Sequence, residues 1–243
     1  ENLECYGYSE ERSAVLSQII SFCVGRHMPI ICDSNPEVIA DCLAAMFGLN
    51  GVTSIHLSTG EPFSVELCNL LCQKRGTSCY QVYLINGALD AYSPNAFNGI
   101  LQNTCNMDGD ILIFSSEGTP TDALSPAIWN RAMFIDGDIG LTHLPQDGLR
   151  AFETKFDFYQ ELKPDKLKET RKQLKPFAGI ISNRALLNYA CFMASTNNSI
   201  QSDTCILTQV LLSAKASGNV KILLEQFTEN GIDIEKNEFS KYL

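Results

Sequence analysis

Short apolar runs alternate along the first part of the chain with stretches whose apolar residues recur at helical spacing. This alternation limits the fold more than any other feature. Pro29–Cys32 (PIIC), Val52–Leu57, Gln81–Ile85, Asp110–Phe114 (DILIF) and Met133–Ile135 (MFI) are brief and rich in β-branched or aromatic residues, so they read as buried strands. Around and between them, Ser9–Arg26, the segment EVIADCLAAMFGL at 37–49, Val65–Arg75 and Asn95–Gln102 read as helices. Strands alternating with helices at this spacing predict a parallel sheet covered on both faces. After about Gly148 the pattern changes: 151–175, Ser182–Ser195, Ser202–Ser217 and Val220–Asn230 have helical spacing, and no strand is evident. The expected architecture is an α/β domain over 1–148, built on a five-stranded parallel sheet sandwiched by helices. A small all-helical domain over 149–243 follows it.

Charge narrows the function. The net charge of −10 argues against a broad nucleic-acid-binding face, because phosphate contacts need clustered Lys and Arg. Lys occurs once in the first 150 residues, at Lys74. The one basic cluster, KPDKLKETRKQLK at 163–175, reads as a solvated helix face, with a phosphate-binding patch as the alternative. No apolar stretch is long enough for a transmembrane helix, and no basic-then-apolar leader opens the chain. The first residue is Glu1 rather than Met, as in an excerpt of a longer chain.

The ten cysteines invite a metal or disulfide reading. Cys68, Cys72 and Cys79 with His56 form the best zinc set on offer, but paired C-x-x-C knuckles are absent. Scattered through apolar runs, the cysteines read as buried, reduced thiols of a nuclear or cytoplasmic protein. Three histidines in unrelated segments, and the lack of a G-x-S-x-G elbow or a Gly-rich dinucleotide loop, leave no other recognisable catalytic set.

The order of elements resembles the AAA+ superfamily of ring-forming ATPases over nearly the whole chain. PIIC lies where the phosphate-binding loop begins, and VYLINGALDAYSPNAFNGIL at 82–101 where the magnesium-holding strand lies. GDILIFSSEG looks like the sensing strand, and ISNRALLNYACFMAS like the start of the lid helix. LSPAIWNR at 124–131 is nearest in look to the midasin and MoxR branch; clamp-loader, origin-recognition and minichromosome-maintenance subunits share the same order. The resemblance implies a trans arginine finger at Arg131 and a second-sensor position at Arg184. It also implies AAA+ neighbours in a ring as partners, with nucleic acid reached only through the assembly.

The departures from the family pattern decide the functional expectation. A phosphate loop needs glycines, so that its N–H groups wrap the phosphates, and a Lys to neutralise them. Here the loop reads Cys32-Asp33-Ser34-Asn35-Pro36-Glu37, with no Gly and no Lys, and Pro36 lacks an N–H. Asp33 and Glu37 put negative charge where a triphosphate belongs; two unit charges at about 4 Å repel by roughly 4 kcal/mol at an effective dielectric of 20. The magnesium strand ends in Asn86 and Gly87 instead of an acidic pair, and the nearest acid, Asp90, reads as a helix cap. The expectation is a pseudo-ATPase with no cofactor and no bound metal, a structural or regulatory module of a larger assembly. The competing expectation is a weakly active or nucleotide-regulated ATPase subunit, helicase-like or clamp-loader-like.

Overall fold

The computed structural model describes residues 2–48, 52–56, 81–91, 110–115, 125–143, 162–196, 204–235 and 238–243. The chain divides into two compact units, Glu1–Thr119 with Arg131–Phe158, and Pro120–Asn130 with Tyr159–Leu243.

The first unit is α/β. Its described elements are α1 (Asn2–Cys5), α2 (Glu10–Gly25), β1 (Ile30–Asp33), α3 (Pro36–Met46), β2 (Thr53–His56), β3 (Gln81–Asn86), α4 (Ala88–Ala91), β4 (Asp110–Ser115) and β5 (Met133–Asp136). The strands form one five-stranded sheet in the order β2-β3-β4-β1-β5, and every pairing is parallel. All five strands expected from the sequence are present. Consecutive residues of β1, β3, β4 and β5 are buried, as a parallel sheet with helices on its faces requires. The expected helices Val65–Arg75 and Asn95–Gln102 lie outside the described residues.

Local chemistry explains the helices that flank the sheet. Ser9 caps α2, its hydroxyl oxygen accepting from the Arg12 N–H at 3.3 Å, and Leu16, Ile19, Ile20 and Cys23 make the buried stripe. Pro36 opens α3 at a position where its missing N–H costs nothing. Val38, Ile39, Cys42, Leu43 and Met46 are buried on α3, which packs on β3 and β4. The chain turns at Gly87, and Asp90 falls within the four-residue α4 that starts at Ala88.

The second unit is helical. It holds α5 (Pro126–Trp129), α6 (Pro164–Leu174), a 3₁₀ turn at Lys175–Phe177, α7 (Asn183–Thr196), α8 (Thr204–Ala216), α9 (Val220–Glu229) and a 3₁₀ helix at Glu238–Tyr242. Every residue from Cys205 to Ala214 is buried, which makes α8 the centre of this unit, and α5, α7, α9 and the last 3₁₀ helix pack on it. Phe227 links two further rings, with Phe177 at 5.7 Å and Phe239 at 5.4 Å between centroids. The buried Thr170 hydroxyl ties α6 to α7 through the Ala190 carbonyl at 3.0 Å. The tip of α5 is held as firmly: Ser182 donates to the Asn130 side-chain oxygen, and Asn188 donates to the Asn130 carbonyl at 2.9 Å. Among the described residues, no helix is long and apolar enough to cross a membrane.

Candidate functional site at the carboxyl edge of the sheet

The strand order locates the site. The chain leaving β1 passes β4 and β3 to reach β2, whereas the chain leaving β4 crosses β1 to reach β5. Adjacent strands whose connections run in opposite directions make a topological switch point, and ligands of open α/β sheets bind at the carboxyl ends there. The residues at this place are Asp33 to Glu37 after β1, Asn86 at the tip of β3, Ser115 at the tip of β4, and Asp136 to Asp138 after β5.

The turn after β1 is unlike a phosphate cradle. Ser34 and Asn35 both adopt positive φ, 62° and 43°, in the left-handed region that costs a non-glycine residue. The turn is held from outside. The Gly137 N–H donates to the Asp33 carbonyl at 2.8 Å, and the Asn35 amide donates to the Asp138 carboxylate at 2.5 Å. Asp138 in turn donates its N–H to the buried Asp136 carboxylate at 3.0 Å. Gly137 is obligatory, since a Cβ there would lie 2.1 Å from the Ser34 carbonyl oxygen.

The opposite wall is tied just as directly. Ser115 donates its hydroxyl to the Asn86 side-chain oxygen at 2.6 Å, and the Asn86 amide faces the Glu37 carboxylate at 3.4 Å. Asn86 is 4% exposed, so its amide is committed to these neighbours. The charge around the turn is negative. Burial first, then Asp33 and Glu37, raises the Cys32 thiol well above its ordinary range. Burial, then Glu37, raises the Asp41 carboxyl. A phosphate brought here meets carboxylates.

The sequence reading missed one cation. Arg12 is 8% exposed, and its guanidinium donates to the Asp136 carbonyl at 3.2 Å. Gly140, at φ 71°, leaves room for it: a Cβ there would lie 2.5 Å from the Arg12 Cβ. Tyr8 donates its hydroxyl to the Gly137 carbonyl at 3.0 Å, so the N-terminal segment braces the same turn. The available signal was a charged residue in the apolar stripe Arg12, Leu16, Ile19 and Cys23, where an exposed helix carries none.

The structure therefore brings Asp33, Ser34, Asn35, Pro36, Glu37 and Asn86 into one neighbourhood, with the buried Gly87 beside them. Asp90 follows within α4, but its side chain is outside the described residues. Arg131 is elsewhere: it is half-buried just before β5, at the amino edge of the sheet, where Met133 pairs with Ile30. Arg184 is exposed in the first turn of α7, within the helical unit. Ser116, Glu117, Cys68, Cys72 and Cys79 lie outside the described residues, and among the described residues no group of three potential metal ligands converges. Of the described cysteines, Cys23, Cys32, Cys42, Cys191 and Cys205 are buried and Cys5 is half-buried.

No protein-family profile and no curated protein matches this chain. Among solved structures it is similar to the crystal structure of the Pyrococcus furiosus Hef helicase domain, at 10% identity and a TM-score of 0.25. That likeness covers 95% of this chain and 66% of the helicase chain, so this chain spans just under two thirds of its length. A score of 0.25 carries no weight for fold or function. The α/β assignment rests on the observed strands and their order.

Proposed function

We propose that this chain is a non-catalytic AAA+-like module, serving as a structural or regulatory subunit, or as one ring segment, of a larger nuclear or cytoplasmic assembly. The observation that carries the reading is the turn after β1. At the switch point, where a nucleotide-binding sheet presents free N–H groups and a Lys, this sheet presents Asp33, Glu37 and Asp138, with Asn35 and Gly137 closing the turn onto its neighbour. The Asn86 position supports the same reading, because its amide is engaged by Ser115 and Glu37 and offers magnesium no carboxylate.

Partners in this proposal are other protein subunits, AAA+ neighbours among them. Arg131 is the residue proposed to reach one. Its place at the amino edge of the sheet, away from the turn after β1, supports a role toward another subunit's site rather than its own. Arg184, with no phosphate to sense, is assigned a structural role in the helical unit.

Calorimetric titration of the full chain with magnesium-ATP, alongside a phosphate-release assay, tests the proposal. The expected result is no saturable heat and no turnover. Saturable nucleotide binding that is lost on substituting Ser34 or Asn35 would overturn it.

A further inference from the structure

The helical unit carries a surface feature that the proposed function does not use. A groove of about 320 Å³ lies between α6 with its following turn and α7, lined by Arg171, Leu174, Lys175, Ala178, Leu186 and Leu187. Arg171 and Leu174 come from the last turn of α6, Lys175 and Ala178 from the 3₁₀ turn and the extended residue after it, and Leu186 and Leu187 from one turn of the facing helix. The floor is aliphatic. Leu187 is 38% exposed, although a large apolar side chain on a helix otherwise carries its surface inward.

The rim is basic. Arg171 and Lys175 are exposed, and neither meets a carboxylate among the described residues. Lys168 and Lys172 extend the positive face along α6, and Arg184 stands one turn before Leu187 on α7. This face belongs to a chain of net charge −10, so it is a local reversal of sign. An aliphatic floor between cations matches an occupant with apolar side chains on one stripe and carboxylates beside them.

We infer that the α6–α7 groove docks an acidic amphipathic helix of a partner protein, its apolar side chains on Leu186 and Leu187 and its carboxylates toward Arg171 and Lys175. This is helix-in-groove recognition, with anchors at i, i+3 or i+4, and i+7. The chemistry disfavours a nucleic acid: the lining holds no aromatic ring on which a base stacks. The volume, at the bottom of the range of about 300–1,000 Å³ that holds small ligands, suits a few side-chain ends of an extended partner.

The probe is a synthetic helical peptide with Leu at i, i+3 and i+7 and Glu on both flanks, labelled for fluorescence anisotropy and titrated with the full chain. Saturable binding is expected. Leu187→Asp should weaken it about tenfold or more, by replacing one apolar anchor site with a charge that repels the peptide. The double variant Arg171→Glu and Lys175→Glu should lose the Glu-flanked peptide and gain a matched Lys-flanked one. These residues are exposed, and circular dichroism of each variant establishes that it folds. The inference is overturned if the Glu-flanked peptide fails to bind the wild-type chain, or binds equally to the reversed-charge variant. It is overturned too if a single-stranded oligonucleotide takes the site in preference, or if Leu187 instead mediates self-association seen as a concentration-dependent mass.

Discussion

The Asn86 amide faces the Glu37 carboxylate at 3.4 Å, joining the tip of β3 to the first turn of α3. In the proposed AAA+-like reading, these are the two positions where a magnesium acid and a phosphate loop would stand. Here they engage each other, and Ser115 holds Asn86 from the other side at 2.6 Å. A neutral amide is what this neighbourhood accepts, because a second carboxylate beside Glu37 would be repelled.

Asn86→Asp places an acid at the tip of β3 and tests that statement. The new carboxylate is buried beside Glu37, so the folded state should hold a proton more tightly than the unfolded chain. Stability should drop by about 2–3 kcal/mol at pH 7 and recover as the pH falls toward 5. Urea unfolding at the two pH values measures it, and magnesium-ATP should still give no turnover.

Gly137→Ala should be among the most damaging single-methyl additions in the chain. The added Cβ would sit 2.1 Å from a backbone oxygen, so the turns after β1 and β5 must separate. A loss of at least about 2 kcal/mol is expected from thermal or urea unfolding, the class of effect that overpacking a closed site produces.

Buried thiols set the alkaline limit. Burial, with smaller electrostatic contributions, pushes Cys42 from 9.0 up to about 12, and Cys32 rises for the same first reason. The unfolded chain gives up these protons at a lower pH than the folded one, so stability is lost as pH rises above 9. The slope is about 1.4 kcal/mol per pH unit for each thiol. Melting temperatures between pH 8 and pH 10 should fall, and Cys42→Ala should flatten part of the fall. At pH 8, iodoacetamide should leave Cys32 and Cys42 unmodified until denaturant is added.

Arg131→Ala addresses the proposed partner. Within this chain the change should cost no more than about 1 kcal/mol. In the purified assembly, if Arg131 completes a neighbour's site, ATPase activity should fall by about 10³–10⁵, and Lys should restore little, because it lacks the planar fork. An unchanged rate in the mutant assembly would remove Arg131 from the mechanism.

Ser182→Ala should loosen the helical unit. Ser182 accepts from the Ala185 N–H at 3.1 Å, capping α7, while its hydroxyl hydrogen goes to Asn130. Losing both is expected to cost about 1–2 kcal/mol, read from the unfolding midpoint.

What the residues disclosed in advance follows the range of the forces involved. β1, β3 and β4 were legible because runs such as Ile111 to Phe114 are buried on both faces and need no alternation. The missing glycines and lysine of the turn after β1 were legible as plain absences. The order that puts β1 between β4 and β5 was not, since it depends on pairings such as Ile30 with Ile113, set by the packed whole. The closure of Asn35 onto Asp138 has the same non-local cause, and so does the hold of Ser182 and Asn188 on Asn130. Each partner there is a polar residue that, read alone, looks like an ordinary loop position. Arg12 was concealed differently: arginine defaults to solvent, and only the apolar stripe around it argued for burial.

Asn130 is bonded within the helical unit, and the next residue, Arg131, belongs to the α/β unit. The two units are thus interleaved along the chain rather than strung end to end, and no single cut separates them. A fragment beginning at Tyr159 would lack α5, whose fully buried Trp129 belongs to the helix packed on α8. A fragment ending at Phe158 would carry that same indole with no α8 to cover it. Fragment expression and domain grafting should therefore fail at either end unless 120–130 travels with the helices.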